Sequence, residues 1–506
     1  MALIDVDPRE PARPTPEPTD APAAAPSRAR GVTMAAAFTA AFAVGGWKIG
    51  IQRLHDNSFL VHLTTGRWIL DHGIPRHDVY SFTAPGTRFV AESWLAECAY
   101  GVLERSVGAI GIRVLMGVCC TLVMAMVYRL ALRGCEDRVR AAGLMLPAFM
   151  VIASIWSERP LAFGILTLVA VVTIVELPSS WLGRHVMVTL PIVMWVWENV
   201  HGSFALGYLY IALHLVGRAL DGEWPRPGTR ERTLLVATAI SIPFLLANPY
   251  GPGLVLFPVA LLGRSKVLAN VSEWMSPTFH APLGMAFAAF LVIGFALMLR
   301  SERRPSRRDV LVTLPFVLLG LWAIRNLAIA VVVMMPMVAR AARPKADHEA
   351  TRRLDTTDRI AGWFIAGLIG LAVMFALQAV TEPNYDLQGF SVKAYAALEA
   401  HGGAGSRLLT TDANAGWMLA AHFPQQHVFM DDRFDMYPIP LIDDYDKLEA
   451  ADPQWSKILH KYDIQSVIWP RTGPLTQVLA ESPQWKRIYG DKDWTVFVRS
   501  GSPAAR

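Results

Sequence analysis

Charge is scarce in this chain, and so is cysteine. Of 506 residues, 18% are Asp, Glu, Lys or Arg and 53% are hydrophobic. Soluble domains carry about a quarter charged residues, so this composition excludes one soluble core with an ordinary wet surface. The four cysteines are Cys98, Cys119, Cys120 and Cys135, with neither a disulfide framework nor metal-ligand spacing. Cys119 and Cys120 fall in an apolar run and Cys135 in a basic loop, which leaves Cys98 to face outward. A Walker loop, a dinucleotide fingerprint, a zincin helix and a nucleophile elbow are all missing. With no nucleotide site in the chain, the energy for any group transfer has to arrive with the substrate. The isoelectric point is near 9.0. Nucleic acid is nevertheless not an expected partner, because the excess Arg sits in short loops between apolar runs, where membrane topology accounts for it.

Long apolar runs are what the chain has instead, and its mean hydropathy is +0.33. Apolar stretches lie at 33–51, 109–128, 141–156, 161–177, 186–198, 204–217, 233–247, 283–300, 311–324, 327–339 and 361–380. Several fall short of the ~20 residues of a full span, so a re-entrant pair could replace two spans. The expected fold is an α-helical polytopic membrane protein of about eleven spans over 31–382, with a smaller α/β domain over 383–506. Four loops are basic. They hold Arg129, Arg133, Arg138 and Arg140; then Arg218, Arg226, Arg230 and Arg232; then Arg300, Arg303, Arg304, Arg307 and Arg308; then Arg340, Arg343, Lys345, Arg352, Arg353 and Arg359. With Arg28 and Arg30, the positive-inside rule puts all of them in the cytoplasm and the C-terminus outside. Residues 1–30, rich in Pro, Ala and Thr, read as a disordered cytoplasmic tail. A cleaved signal peptide at 28–51 is the competing reading, although the run is long for one.

In this orientation six polar clusters fall on the outer face: His55-Asp56-Asn57, Ser157-Glu158-Arg159, Glu198-Asn199-Val200-His201-Gly202, Asn248-Pro249-Tyr250-Gly251, Ser272-Glu273-Trp274 and Arg325-Asn326. Polar groups at membrane depth are costly and persist where they face a cavity or one another. Asp56, at the outer end of the first span, is the first candidate base, and a partly desolvated carboxylate suits that task. A snorkelling interfacial Asp is the plainer reading. Asp78 is a second candidate, as base, partner or metal ligand, and equally a turn residue. Arg325 and Arg159 offer guanidinium forks for phosphate oxygens, or simply salt bridges to outer carboxylates. His55 neighbours Asp56. Glu198 and His201 could position or shuttle a proton, and His201 could equally be a packing residue. Trp274, next to Glu273, could stack on a sugar or anchor the interface.

The first outer loop, 52–108, reads as two interfacial helices, the first ended by Gly73-Ile74-Pro75 and the second running from Trp94 to Val107. In the C-terminal part, strand-like runs at 407–410, 427–430, 465–469 and 494–498 alternate with helical stretches near 415–422, 440–449, 452–461 and 473–481, which predicts a partly parallel sheet. Asp412 and Asp431-Asp432-Arg433 follow strand ends, where such sheets tend to bind ligands. A solvated turn with a helix cap explains them as well.

These residues carry a resemblance. Asp56-Asn57-Ser58-Phe59, His62-Leu63, Gly66-Arg67, Gly73-Ile74-Pro75, Asp78, Tyr80-Ser81-Phe82-Thr83, Gly86 and Ser93-Trp94-Leu95 resemble the first loop of bacterial integral-membrane proteins related to the GT-C glycosyltransferases. Arg159-Pro160, Asn199-Val200-His201-Gly202, Asn248-Pro249-Tyr250-Gly251, Glu273-Trp274, Arg325-Asn326 and Val428-Phe429-Met430-Asp431-Asp432-Arg433 are similar to later landmarks of that group. The resemblance covers about 33–500. It implies a bacterial plasma-membrane enzyme that moves a sugar from a polyprenyl phosphate or pyrophosphate carrier to an extracytoplasmic glycan, lipid or protein. It places Asp56 at the catalytic acidic position. His55-Asp56 departs from the paired carboxylates that many GT-C enzymes carry there, so a second carboxylate comes from elsewhere, such as Asp78, or the chemistry is lost. No cofactor is implied beyond the lipid-linked donor, and a divalent metal stays open. A lipid-linked glycan flippase and a non-catalytic envelope assembly protein are the competing functions.

Overall fold

The computed structural model describes residues 33–154, 156–264, 272–302, 304–344 and 357–502. The expected tail at 1–30, and Arg303, Lys345, Arg352 and Arg353 of the basic loops, lie outside the described residues.

Each of the eleven apolar stretches is a helix: α1 (Met34–Gly50), α4 (Ala109–Cys135), α5 (Arg138–Ser154), α6 (Leu161–Glu176), α7 (Val186–Val200), α8 (Ala205–Leu220), α9 (Arg230–Phe244), α10 (Pro282–Arg300), α11 (Arg307–Trp322), α12 (Leu327–Ala341) and α13 (Thr357–Thr381). Among the described residues five segments are long and apolar enough to cross a membrane: 109–135, 202–220, 282–300, 324–341 and 360–381. The chain is a multi-pass membrane protein. α12 is the hub of the bundle, buried along most of its length, whereas the apolar face of α13 stays open, with Trp363 81% and Val380 71% exposed. A helix this apolar and this exposed belongs against lipid. Prolines lie inside α5, α7, α9, α11 and α12, as apolar helices packed in a bundle tolerate.

The basic loops gather at one end of the bundle, where several arginines clamp helices together. Arg308 and Arg340 both pair with Glu176 and with Asp309. Arg140 holds the carbonyl of Ala342 at 2.8 Å, and Arg230 that of Ile174 at 2.7 Å.

The first loop forms α2 (Asn57–His72) and α3 (Trp94–Val107). Asp56 caps α2 by accepting from Phe59 N at 2.9 Å, and Gly73, at φ 81°, ends it. The two helices touch backbone to backbone at Gly66 and Gly101; a Cβ on Gly66 would strike the carbonyl of Glu97.

The C-terminal part adds helices α14 (Val392–Ala400), α15 (Asp412–His422), α16 (Ile439–Glu449), α17 (Trp455–Lys461) and α18 (Pro474–Glu481). They surround strands β1 (Leu408–Leu409), β2 (Ser466–Pro470), β3 (Trp485–Gly490) and β4 (Trp494–Arg499), in the order β1-β2-β4-β3. Only β1 and β2 are parallel. The run expected as a strand at 427–430 makes only single bridges, Val428 to Leu408 and to Ser81. Residues 485–490 form a strand the sequence reading left out. One core joins this unit to the first loop, since Ala84, Phe89 and Ala91 are buried together with Phe429, Tyr437 and Trp469.

Candidate functional site

The six polar clusters lie at the end of the bundle next to the C-terminal sheet, linked by hydrogen bonds and, for Arg325, by its contact with Trp274. Asn199 Oδ1 accepts from Trp94 Nε1 at 2.7 Å, and Glu92 Oε2 accepts from Gly202 N at 2.9 Å. Tyr250 braces the first loop, donating to Pro75 O at 2.7 Å and accepting from Ala91 N at 2.9 Å. His55 Nδ1 lies 3.1 Å from Glu158 Oε1. That hydrogen bond is the main cause that pushes His55 up to about 9, so the ring is cationic at neutral pH.

Asp56 is not a free carboxylate. Arg159 Nε donates to both its oxygens at 2.8 Å, while the other end of the guanidinium pairs with Glu273. Arg159 is therefore a clamp between the start of α2 and the 272–274 turn. Arg325 differs. It is half-buried, makes no ion pair or hydrogen bond among the described residues, and lies over the Trp274 ring at 4.7 Å. Its nearest negative charges, Glu273 and Glu92, act on it through space. A guanidinium held on an aromatic face with its N–H groups unused is ready for an anion.

Three groups that the sequence does not single out as site candidates enter here. Glu92 is half-buried, and only one of its oxygens is engaged, by Gly202. Burial, followed by the charge of Asp435, pushes it up to about 7. His62 Nδ1 sits 2.7 Å from the buried Glu97, which outweighs the cost of burying the imidazolium and raises His62 above its ordinary value. Asp435 is raised by burial, with Arg433 and Arg264 opposing. Glu92 had one sequence signal: it precedes Ser93-Trp94-Leu95, where α3 begins.

The C-terminal domain contributes Asp432. It accepts from Asn57 Nδ2 at 3.0 Å and from the hydroxyl of Ser58, so it docks on the first turn of α2 beside Asp56. Burial and the neighbouring Asp431 push it up to about 7.

Other expected site residues are occupied elsewhere. Asp78, whose side chain is fully buried, accepts from Ser81 Oγ and from Arg433 Nη2, both at 2.6 Å. Asp431 is equally buried and pairs with the same Arg433 at 2.7 Å, with Tyr437 closing the network. Arg433 lies between the rings of Tyr80 and Phe89. This triad stitches the first loop to the C-terminal domain. Glu198 is buried and accepts from Asn248 Nδ2 at 3.2 Å. His201 is held through Nδ1 by Ser203 Oγ at 2.8 Å and lies within electrostatic reach of Arg325 and His62. Asp412 caps nothing in this cleft and pairs with Tyr445 at 3.0 Å. Among the described residues no group of three or more His, Cys, Asp or Glu could hold a metal ion.

No protein-family model and no curated protein matches the chain. Its fold is similar to that of solved structures. Archaeal oligosaccharyltransferase AglB from Archaeoglobus fulgidus, in complex with an inhibitory peptide and a dolichol-phosphate, aligns with a TM-score of 0.50 at 11% identity, over 92% of this chain and 74% of that one. Arabinofuranosyltransferase AftD from Mycobacteria scores 0.49 at 15% identity, over 91% and 41%. ArnT from Cupriavidus metallidurans, bound to undecaprenyl phosphate, scores 0.46 at 13%, over 92% and 98%. The alignment with AglB shows a shared fold alone, a bundle of apolar helices followed in this chain by a small C-terminal sheet.

Proposed function

We propose that this chain is a membrane glycosyltransferase. It takes a sugar from a polyprenyl-phosphate-linked donor and passes it to a hydroxyl on the face that carries the C-terminal domain, at the plasma membrane of a bacterium with the basic loops inside. The observation that carries the reading is Arg325: a half-buried cation, without a protein ion pair among the described residues, seated on Trp274 and surrounded by carboxylates from the first loop and the 272–274 turn.

In this reading the donor phosphate lies on Arg325. Glu92 takes the proton from the acceptor hydroxyl, since it has a free oxygen and titrates near 7. The acceptor oxygen then attacks the anomeric carbon. The bond from that carbon to the phosphate oxygen breaks, and its electron pair leaves with the phosphate, whose growing charge Arg325 stabilises. Attack from the side opposite the phosphate inverts the anomeric centre. Asp56 is the second candidate base: a donor that draws Arg159 onto its phosphate would release the Asp56 carboxylate. His62 and Asp432 line the acceptor side. The fold's likeness to AglB is consistent with a lipid-linked donor, as that structure holds a dolichol-phosphate. A flippase has to open at both ends, whereas here the opposite end is tied by Glu176, Arg308, Asp309 and Arg340.

The test is release of polyprenyl phosphate by the purified chain in nanodiscs, offered a panel of hexosyl and pentosyl polyprenyl-phosphate donors with membrane-extract acceptors. At least one donor should be consumed, and Arg325→Ala should abolish it. A folded chain that neither binds nor consumes any donor sinks the proposal.

A further inference from the structure

A second polar cavity, of about 320 Å³, lies at the same end of the bundle, between the C-terminal ends of α1 and α13. That size is in the range of sites that hold small ligands. Beside it Leu54 pairs with the 384–386 segment, where Leu54 N donates to Asn384 O at 2.9 Å and Asp386 N to Leu54 O at 2.8 Å. Arg113, buried in α4, fixes the walls by donating to Ile51 O at 3.1 Å and to Ala379 O at 2.7 Å. Four cationic side chains line it: Lys48, Arg53, His55 and Arg113. Two carboxylates oppose them. Asp386 is taken by Arg53 at 3.1 Å, and Glu382 stands 3.8 Å from Arg113 while accepting from Gln378. Lys48 has only the Phe375 ring beneath its ammonium, 4.8 Å from the centroid, and His55 keeps Nε2 free of hydrogen bonds among the described residues. The cavity is thus net positive. One wall is α13, whose outer face is apolar and exposed along its length, so the opening lies where lipid head groups meet the protein.

We propose that this cavity is a second anion site, which holds the phosphate head group of a membrane lipid with Lys48 and His55 as its direct ligands. The reasons are chemical. An ammonium at the end of an apolar helix, with no anionic partner among the described residues, gains most from a phosphate. The cavity is bordered by the apolar, exposed helix α13 on one side and, through His55, which bonds Glu158, is connected to the Asp56–Arg159 pair on the other. An occupant on His55 therefore steadies the joint at which Asp56 caps α2. The inference does not depend on sugar transfer.

The experiment is native mass spectrometry of the delipidated full chain. It is titrated separately with dioleoylphosphatidylglycerol, dioleoylphosphatidylcholine, a polyprenyl monophosphate and inorganic phosphate. One equivalent of an anionic lipid should bind in preference to phosphatidylcholine. Lys48→Gln should weaken that equivalent about tenfold, the scale of one charge-assisted hydrogen bond, and Lys48→Arg should restore most of it. Whichever anionic lipid is sensitive to Lys48→Gln, the phospholipid or the polyprenyl phosphate, is the source of the head group. Arg325→Gln and Arg129→Gln/Arg133→Gln, which alter cations elsewhere, should leave this equivalent in place. Equal binding of the two phospholipids, anionic-lipid binding indifferent to Lys48→Gln, or inorganic phosphate bound as tightly as the lipids would each overturn the proposal.

Discussion

Glu92 offers the sharpest test of the chemistry, because its burial sets two pH dependences at once. Its carboxyl moves from an ordinary 4.5 to about 7 in the folded chain, first through burial and then through Asp435. If it is the base, the rate at saturating acceptor should rise with pH through about 7 and level off above it. Glu92→Gln keeps the shape and the acceptance of the Gly202 N–H but removes the base. The rate should fall by roughly 10²–10⁴, and the acidic limb should vanish. Stability moves the other way. A carboxyl whose folded value is raised binds its proton more tightly in the native state. The native state is therefore favoured fully below about 4.5, and the advantage is lost as pH rises through about 7. A shift of that size corresponds to a ceiling of about 3 kcal/mol, less whatever water reaches the half-buried group. Between pH 5 and 8 the wild type should thus lose unfolding stability relative to Glu92→Gln, by at most that amount. The assays are a pH series of carrier release and a parallel pH series of denaturant or thermal unfolding in detergent. A variant that keeps wild-type activity within about threefold, with the acidic limb intact, refutes the assignment, and Asp56 becomes the base.

Arg325→Lys keeps the charge but loses the planar fork, so donor KM should rise about tenfold or more while part of kcat survives, and Arg325→Ala should lose nearly all turnover; unchanged donor dependence in folded variants would move the phosphate to Arg159. Asp56→Asn keeps a good helix cap but removes the charge opposite Arg159, so stability should change by no more than about 1 kcal/mol while transfer falls; a large drop in melting temperature with activity retained would make Asp56 purely structural. Arg433→Met leaves Asp78 and Asp431 buried without their cation and should cost on the order of 3–5 kcal/mol, read as a lowered unfolding midpoint; a loss below about 1 kcal/mol would show that the triad does not bind the loop to the domain. A reporter fused after residue 506 should be active only outside the cytoplasm and one near Arg304 only inside, and the reverse pattern would undo the orientation.

Much of the fold was legible because burial in lipid leaves a coarse signature. Eleven apolar stretches become eleven helices, and α2 and α3 appear where charged residues, Arg67 and Asp71 in the first and Glu97, Glu104 and Arg105 in the second, argue against a span. The sheet was harder to read. Residues 427–430 have strand-like composition but make only single bridges, because Val428 sits between the first loop and β1 instead of within a ladder. β3 was passed over because its alternation is weak: Lys486 and Arg487 are both exposed on an edge strand. The polar clusters could be grouped from topology, but the sequence does not say which charges satisfy each other. Arg159 and Arg325 have the same residue type and similar settings in the chain. One is consumed by Asp56 and Glu273, and the other has, among the described residues, only the face of Trp274.

Asp431 and Asp432 show why adjacency misleads. They stood together as ligand candidates after a strand. The chain bends at Asp432, and the two neighbouring side chains go to different partners. Asp431 turns inward, fully buried, and spends both oxygens on Arg433 and Tyr437. Asp432 turns outward, half-buried, to Asn57 and Ser58 at the start of α2. The first carboxylate fastens the C-terminal domain to the first loop, and the second becomes part of the cleft only because that fastening holds. The coupling has a consequence for mutants. Loss of Arg433 should withdraw Asp432 from α2 and lower transfer even in molecules that remain folded, whereas Asp432→Asn should lower transfer without the stability loss. The two variants separate the fastening from the chemistry.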